Sequence, residues 1–253
     1  MKFGIIAAGL GSRLASEGST MSKPMVRICG EPMIDRLIRI FASDGADEIV
    51  IISRTADKQL QGHLTSFYNV IRDGELHKAE NALAEVPVRL LVKDTPSSMH
   101  SFYEISKYLS DDVYCVTTTD TVFSEQDFSA YVGRLRDGNG ADGVFGITPY
   151  IDDESPLYVS VSDDRRILGF YAERADCQYV SAGIYGFRSS AINILEDCIA
   201  KGIMRMRSFQ RALISGGRNL EAFVFPKVID VDHISDIAKA EAMLYENKDG
   251  HSC

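Results

Sequence analysis

The sequence predicts an α/β protein with a single Rossmann-like, mostly parallel mixed sheet that carries helices on both faces. Two observations predict this class: short apolar runs rich in Val, Ile and Tyr recur along the chain, and amphipathic stretches separate them. Alternation of strand and helix is typical of a parallel sheet that is buried on both faces. The 253 residues show neither an internal repeat nor a linker, so we expect one domain over residues 1–253.

The first half of the chain, about residues 1–140, contains the predicted parallel strands. Four apolar runs are interpreted as buried strands, at Phe3–Ala8, Glu48–Ser53, Val88–Val92 and Val113–Thr118. Apolar residues at helical spacing predict helices at Met33–Ser43, Phe102–Leu109 and Phe128–Leu135. Gly45 follows the first of these helices as a stop signal.

The pattern changes in the second half, about residues 141–253, where strands follow one another with short turns. They are predicted at Asp142–Tyr150, Leu157–Val161, Ile167–Ala172 and Tyr179–Phe187, as a small antiparallel extension of the sheet. Helices are then predicted at Ser190–Lys201 and Ser208–Ser215, and a strand is predicted at Glu221–Phe225. The segment Val228–Asp232 and a closing helix from Ser235 follow.

Composition and charge limit the classes of function. The formal net charge of -9 argues against a surface for nucleic acid or anionic membrane. Cys29, Cys115 and Cys198 lie in apolar contexts, which predicts reduced and packed thiols. The N-terminal apolar run is too short for a signal peptide, and no segment reaches the roughly 18 apolar residues of a membrane span. We therefore expect a cytoplasmic enzyme, and its assembly into a homo-oligomer is left open.

A glycine-rich turn after the first predicted strand carries the most informative motif. Glycines let the chain fold tightly there, so that a bulky anion can approach bare backbone N–H groups. Arg13 and Lys23 add two cations close to this turn, and together they predict a cradle for the phosphates of a nucleotide. The candidate nucleotide-binding residues of the turn are Ala7, Ala8, Gly9, Gly11 and Ser12.

The segment AAGLGSRL at residues 7–14, followed by SKPMV at residues 22–26, resembles the opening of the sugar-1-phosphate nucleotidyltransferase superfamily. That superfamily includes the sugar-nucleotide pyrophosphorylases and the bacterial choline-phosphate cytidylyltransferases. The resemblance extends over nearly the whole chain through ordered landmarks. It implies a Mg²⁺-dependent transfer of a nucleotidyl group from an NTP to a phosphate monoester such as a sugar-1-phosphate or phosphocholine. It also implies catalytic roles for Arg13 and Lys23.

Three aspartates are candidate metal ligands. Asp120 directly follows the strand Val113–Thr118, at the sheet edge where open α/β sheets place their ligands. Asp230 and Asp232 are two residues apart and share one face of a strand, which is costly without a nearby cation. The resemblance implies that Asp120 and Asp232 hold Mg²⁺, with Asp230 as the alternative second ligand. From the residues alone, Asp120 could instead cap a turn.

A hydroxyl-rich turn, TPSSMHSF at residues 95–102, precedes the predicted helix Phe102–Leu109. Ser97 or Ser98 is suited to be the N-cap of that helix. The family places a glycine-rich turn here that touches the nucleobase, so the resemblance assigns Thr95, Ser97 and Ser98 to nucleotide binding. The missing glycines bring the turn closer to the members that use alcohol phosphates.

The acceptor side is assigned by resemblance. The segment ILGFYAER at residues 167–174 is similar to a family segment whose lysine meets the acceptor phosphate, and Arg174 stands in that position. From the residues alone, Arg174 could equally form a surface pair with Glu173. Ser181 and Gly183 match a segment that contacts the acceptor, but Ser181 replaces an asparagine that usually contacts a sugar hydroxyl. This replacement favours an alcohol phosphate or an unusual sugar phosphate.

Three other functions are weighed against this one. A dinucleotide-dependent oxidoreductase is disfavoured because Leu14 stands where its fingerprint needs a third glycine. A molybdenum-cofactor-type nucleotidyltransferase usually carries a different opening motif. A non-catalytic nucleotide sensor would not need Arg13, Lys23, Asp120 and Asp232 together.

Overall fold

The computed structural model describes residues 1–109, 112–138, 140–188 and 191–249. Its strands are β1 (Lys2–Ala7), β2 (Arg27–Ile28), β3 (Glu31–Pro32), β4 (Ile49–Ser53), β5 (Val70–Arg72), β6 (Glu75–His77), β7 (Val88–Val92), β8 (Val113–Thr118), β9 (Thr121–Val122), β10 (Gly143–Thr148), β11 (Tyr158–Val161), β12 (Ile167–Tyr171), β13 (Tyr179–Arg188), β14 (Leu220–Val224) and β15 (Ile229–Asp230). Its helices are α1 (Ser12–Ser16), α2 (Met33–Ser43), α3 (Lys58–Phe67), α4 (Ser98–Ser106), α5 (Glu125–Asp137), α6 (Ile192–Ala200), α7 (Met206–Ser215) and α8 (Ile234–Asp249).

The centre of the large sheet is parallel, in the order β8-β1-β4-β7-β5. β13 is the element that joins the second half of the chain to this centre, because it pairs antiparallel with β8. On its other side β13 pairs with β10 and β11, and β14 adds to β10 in parallel. The predicted mixed sheet with an antiparallel extension is confirmed.

Alternation of side chains along the central strands produces two cores, one on each face of the sheet. Phe3 and Ile5 of β1 point into one core, where helices α2, α3 and α5 cover the sheet. Ile6 points into the other core, which contains buried residues of α4, α6 and α7. Since both faces are covered, the central strands are mostly apolar, and their bounds agree with the predicted runs to within one residue.

A third apolar cluster holds the end of the chain beside its beginning. Leu14 of α1, Val122 of β9 and Val231 pack together with Ala240 and Met243 of α8. β15 pairs antiparallel with β9, so the segment that contains Asp230 lies directly against the segment that follows Asp120. This cluster is what brings the N-terminal turn and the C-terminal aspartates to the same edge of the sheet.

Some elements differ from the prediction. Helix α3 and the hairpin β5–β6 were absent from it, because α3 is largely polar and β6 is exposed along its whole length. The prediction that Cys29 is packed is wrong: it is exposed in the tight turn between β2 and β3, at φ 50°. The predicted helix start at Ser190 falls outside the described residues. Within the described ranges, no helix has the length and apolar character needed to cross a membrane.

Candidate active site

The glycine-rich turn lies between the end of β1 and α1, and its shape depends on Gly11. This residue precedes α1 with φ 58°, a left-handed conformation that side chains rarely adopt. A Cβ on Gly11 would lie 3.1 Å from Cβ of Lys23, so a side chain there would press on the lysine. The glycine therefore lets the turn pack directly against the backbone that carries Lys23.

Lys23 lies between two carboxylates that are far apart in the sequence. Its Nζ is 2.6 Å from Oδ2 of Asp120 and 2.5 Å from Oδ1 of Asp232. The Lys23 side chain is only 9% exposed, whereas those of Asp120 and Asp232 are 25% and 34% exposed. The lysine is thus the floor of a cleft, and the two carboxylates face both the lysine and the solvent.

Local hydrogen bonds fix the two carboxylates in place. Asp120 lies two residues after the end of β8, and its carbonyl oxygen accepts from the N–H of Val231 at 3.0 Å. Asp236, in the first turn of α8, accepts through Oδ2 from the N–H groups of Asp232 and His233, at 3.1 and 2.8 Å. This cap holds the backbone of Asp232 so that its carboxylate faces Lys23.

Arg13 adds a second cation to the cleft, and it is more exposed to solvent than Lys23. Its Nη1 donates to Oδ2 of Asp232 at 2.5 Å, and its Nη2 lies 3.3 Å from Oε2 of Glu154. The structure therefore brings Arg13, Lys23, Asp120 and Asp232 into one cleft. Each of the two cations is held in position by at least one carboxylate.

The pKa shifts report the same charge pattern. Burial lowers the pKa of Lys23, but the charges and hydrogen bonds of Asp120 and Asp232 outweigh burial and leave that pKa raised. Burial opposes ionisation of Asp120, yet Lys23 holds the pKa of this carboxyl below its ordinary value. Part of the Asp230 side chain is open to solvent, but loss of hydration within the cleft, followed by the charge of Asp120, raises the pKa of Asp230 to about 8.

The residues of the cleft fit a divalent cation with oxygen ligands. Oδ1 of Asp120 is buried and has no hydrogen-bond partner among the described residues, so one carboxylate oxygen is available to a ligand. No group of three or more His, Cys, Asp or Glu side chains in the described ranges is arranged as a metal cluster. Mg²⁺ usually takes one or two carboxylates together with substrate phosphates and water. Asp120 and Asp232 can provide the carboxylates of such a donor set.

Two cavities meet at this point. The first, here called the loop cavity, has a volume of about 740 Å³ and contains Lys23 and Asp120 in its wall. The second, the acidic cavity, has a volume of about 210 Å³ and contains Arg13 and Asp230 in its wall. Asp232 lines both cavities, whereas Asp230 lines the acidic cavity. Asp232 therefore lies at the boundary between the two cavities.

Most of the predicted nucleotide-binding residues line the loop cavity, namely Ala7, Ala8, Gly9, Thr95, Ser97 and Ser98. Ser97 is the N-cap of α4 and accepts from the N–H of His100, which confirms the prediction of a serine cap there. Gly11 does not line the loop cavity but packs against Lys23, which does. Ser12 is exposed at the start of α1.

Ser181 and Gly183 have different positions. Ser181 lines the acidic cavity, and Nε2 of the buried Gln210 donates to its Oγ at 3.4 Å. Gly183 has φ 71° at a bulge of β13, and a Cβ there would lie 2.8 Å from Oγ1 of Thr121. Thr121 in turn donates to Oδ1 of Asp230 at 3.2 Å. Gly183 therefore acts through Thr121 on the position of Asp230, and it does not itself line the acidic cavity.

The structure does not bring Arg174 to the cleft. Arg174 is exposed in the turn between β12 and β13, because β12 ends at Tyr171 and the chain turns outward there. Arg207 of α7 lines the loop cavity instead, and its Nη2 donates to the carbonyl oxygen of Ser155 at 3.0 Å. The sequence contains no local signal that α7 packs over the cleft.

The chain is similar in sequence to two named cytidylyltransferases. The glucose-1-phosphate cytidylyltransferase of Salmonella typhimurium is 26% identical over 140 residues, which cover 52% of this chain and 54% of that protein. The 2-aminoethylphosphonate cytidylyltransferase of Lancefieldella rimae is 25% identical over 154 residues, which cover 56% of this chain and 55% of that protein. The chain thus spans about half the length of these curated relatives.

Solved structures share the fold at low sequence identity. The inositol-1-phosphate CTP transferase from T. maritima is similar with a TM-score of 0.77 and 16% identity, over 100% of this chain and 98% of that one. A putative glucose-1-phosphate thymidylyltransferase from Bacillus anthracis is similar with a TM-score of 0.78 and 18% identity, over 96% and 94% of the two chains. The family model described as "Nucleotidyl transferase" matches residues 4–247, which include the glycine-rich turn, Lys23 and all three aspartates. The chain belongs to the nucleotidyl transferase family.

Proposed function

We propose that this protein is a Mg²⁺-dependent nucleotidyltransferase that joins an NTP to a small phosphate monoester or phosphonate and releases pyrophosphate. One observation carries the proposal: Lys23 is held between Asp120 and Asp232 on the floor of a cleft whose rim is the glycine-rich turn. A cation, two carboxylates and a turn open to phosphates are what this reaction needs at one point. The family match and the two adjacent cavities support the same reaction.

We propose CTP as the nucleotide. The curated relatives cited above are both named cytidylyltransferases, and the solved structure from T. maritima is named for transfer from CTP. In this chain the base would lie in the loop cavity beside the turn that carries Thr95, Ser97 and Ser98. Hydroxyl groups there can accept from and donate to the edge of a base.

The reaction follows from alignment and charge neutralisation. An oxygen of the acceptor forms a bond to the α-phosphorus, and the bond from that phosphorus to the β-phosphate oxygen breaks, so that pyrophosphate leaves. The attacking oxygen is already ionised near neutral pH, so no strong general base is needed. The chain must hold the two substrates in line and neutralise their negative charges.

Each residue of the cleft has a part in this scheme. The glycine-rich turn and Arg13 would bind the phosphates that leave, and Lys23 would neutralise charge at the α-phosphate. Arg207, which reaches the loop cavity from α7, would meet the acceptor phosphate in the role that the sequence assigned to Arg174. Asp120 and Asp232 would hold Mg²⁺, which supplies Lewis-acid neutralisation of the phosphate oxygens.

A pyrophosphate-release assay tests this function. Purified protein is mixed with Mg²⁺, each of the four common NTPs in turn, and a panel of phosphate monoesters and phosphonates. We expect release that requires an acceptor, is fastest with CTP, and stops when EDTA removes the metal. Tight binding of CTP without pyrophosphate release from any acceptor would contradict the proposal and would identify a nucleotide sensor.

A further inference from the structure

A buried glutamine of α7 has a polar atom that packing alone does not explain. Gln210 is 1% exposed, and its helix neighbours Phe209 and Leu213 belong to the apolar core on that face of the sheet. Oε1 of Gln210 is buried and has no hydrogen-bond partner among the described residues. An unsatisfied buried polar atom lowers stability, and methionine would fill the same space without that cost. The amide of Gln210 therefore calls for a functional explanation.

The other end of this amide reaches the wall of the acidic cavity. Nε2 of Gln210 donates to Oγ of Ser181 at 3.4 Å, and Ser181 lines that cavity. The backbone of Ser181 is fixed, because its N–H donates to the carbonyl oxygen of Leu157 at 2.9 Å. The hydroxyl of a serine can still turn among three staggered rotamers. The hydrogen bond from Gln210 favours one of them and so sets where the hydroxyl of Ser181 lies.

Tyr185 of β13 is the third polar group of this cluster. Burial raises the pKa of Tyr185 to about 12, and hydrogen bonding with Ser181 and Gln210 offsets part of that rise. A serine hydroxyl has one donor site and two acceptor sites. Bonds to Gln210 and Tyr185 therefore leave Ser181 one site for a ligand in the acidic cavity.

Helix α7 brings two functional side chains to the cleft from a single turn. Arg207 precedes Gln210 by three residues, so the two lie on neighbouring positions of one helix face. Arg207 lines the loop cavity, whereas Gln210 reaches the acidic cavity through Ser181. In the proposed reaction, this helix would bring a cation to the acceptor phosphate and a fixed hydroxyl to the rest of the acceptor.

We propose that Gln210 is a positioning residue, which holds the hydroxyl of Ser181 against the acceptor so that the attacking oxygen is aligned with the α-phosphorus. This inference rests on the proposed nucleotidyl transfer and adds to it a residue that acts through Ser181 without touching substrate. The unsatisfied amide is then a cost in stability that serves alignment in the reaction.

The variant Gln210→Met tests this role, since methionine has a similar shape but no donor. Pyrophosphate release from CTP is measured with glucose-1-phosphate and with 2-aminoethylphosphonate, the acceptors in the names of two relatives. We expect kcat/KM for the acceptor that the wild type uses faster to fall by ~10-fold. The KM for CTP should stay within about twofold, because Gln210 does not line the loop cavity. The midpoint of urea unfolding should equal or exceed that of the wild type.

Gln61→Met is the matched control. Gln61 is also buried, but both ends of its amide are engaged: Nε2 donates to the carbonyl oxygen of Arg54 at 2.8 Å, and Oε1 accepts from Nζ of Lys58 at 3.1 Å. Loss of these bonds should lower the midpoint of urea unfolding. It should leave kcat/KM for the acceptor within about twofold, because Gln61 lies outside the acidic cavity.

A double-mutant cycle tests whether Gln210 acts through Ser181. Ser181→Ala alone should lower kcat/KM for the acceptor by ~10-fold. The double variant with Gln210→Met should lose no more than Ser181→Ala alone, because the glutamine has no hydroxyl left to hold.

The outcomes separate this inference from the function on which it rests. Unchanged acceptor kinetics in Gln210→Met, a lower urea midpoint or failure of that variant to fold would overturn the positioning role and leave nucleotidyl transfer standing. Losses that multiply in the double variant would overturn it likewise. Absence of pyrophosphate release by the wild type with every acceptor of the panel would overturn nucleotidyl transfer, and the positioning role would fall with it.

Discussion

Lys23 is held in place by two carboxylates that come from opposite ends of the chain. A cation with two acidic partners is costly to remove, because both acids would then lie close together without neutralisation. The same arrangement keeps the ammonium group oriented before any phosphate arrives, so little ordering is needed when the nucleotide binds. Lys23 thus stabilises the two carboxylates, and the same side chain has a proposed role in the reaction.

Replacement of Lys23 by alanine should lower kcat by at least ~10²-fold, because the charge at the α-phosphate would no longer be neutralised. Pyrophosphate release under saturating substrates measures kcat, and circular dichroism checks that the variant is folded. Lys107→Ala is the control, since Lys107 forms an exposed pair with Glu104 at 3.0 Å. Near-normal turnover of a folded Lys23→Ala protein would refute the role of Lys23.

Arg207 and Arg174 offer a direct comparison between the structure and the sequence. Arg207→Ala should raise the acceptor KM by ~10-fold, because one charge-assisted contact to the phosphate is lost. Arg174→Ala should leave that KM within about twofold, because Arg174 is exposed away from both cavities. Initial rates at saturating CTP give both values. The reverse ranking would restore Arg174 to the acceptor site.

Asp230 should make the protein without ligands less stable as the pH rises. A carboxyl whose pKa is raised on folding binds its proton more tightly in the folded state than in the unfolded one. Its contribution is complete below the unfolded value of about 4 and is lost as the pH rises through about 8. Thermal unfolding at pH 5 and pH 8.5 tests this: Asp230→Asn should flatten the decline seen in the wild type. An identical decline in both proteins would contradict the assignment.

At the scale of elements, the bulge in β13 is the feature on which the site most depends. The register between β10 and β13 shifts between Phe145 and Ile147, and Gly183 lies in the bulged segment. There β13 turns away from β8 and passes Thr121, which holds Asp230. The bulge therefore links the antiparallel extension to the position of the acidic side chains.

Gly183→Ala should destabilise the protein by about 2–4 kcal/mol, since the new Cβ would meet Thr121 at 2.8 Å in addition to the strain of a positive φ. Gly217→Ala separates the two effects. Gly217 has a similar φ of 75°, but a Cβ there would meet nothing within 4 Å. It should cost only about 1 kcal/mol. Urea unfolding measures both values, and equal costs would show that close packing against Thr121 is unimportant.

At the scale of the whole molecule, the sequence predicts the parallel centre well and the packing between distant segments poorly. Val88–Val92 and Val113–Thr118 are strands with the predicted bounds, because a strand covered on both faces is apolar at most of its positions. Helix α3 was not predicted, because only a few of its residues are buried and most of its surface is polar. The hairpin β5–β6 lies at the sheet edge, where no apolar alternation is required.

The residues of the candidate site also divide into those that local sequence predicts and those whose position depends on tertiary packing. Arg13, Lys23 and Asp120 could be named from the residues around them, because a glycine-rich turn and a strand end have local signatures. The preference for Asp232 over Asp230 came from resemblance, and the structure adds that Asp232 contacts Lys23 while Asp230 faces the acidic cavity. The sequence around Arg207 does not show that this residue reaches the cleft, because its position depends on how α7 packs across the sheet. Tertiary packing leaves no local signal.

The transfer of label from CTP tests the central claim most directly. Protein, Mg²⁺ and each acceptor of the panel in turn are incubated with CTP that carries ³²P at the α-position, and the products are separated by chromatography. We predict that the label appears in a CMP-linked acceptor in equal amount to the pyrophosphate released, and that Asp120→Asn abolishes both. Label that stays in CTP, or that appears only in free CMP, with every acceptor of the panel would contradict the account.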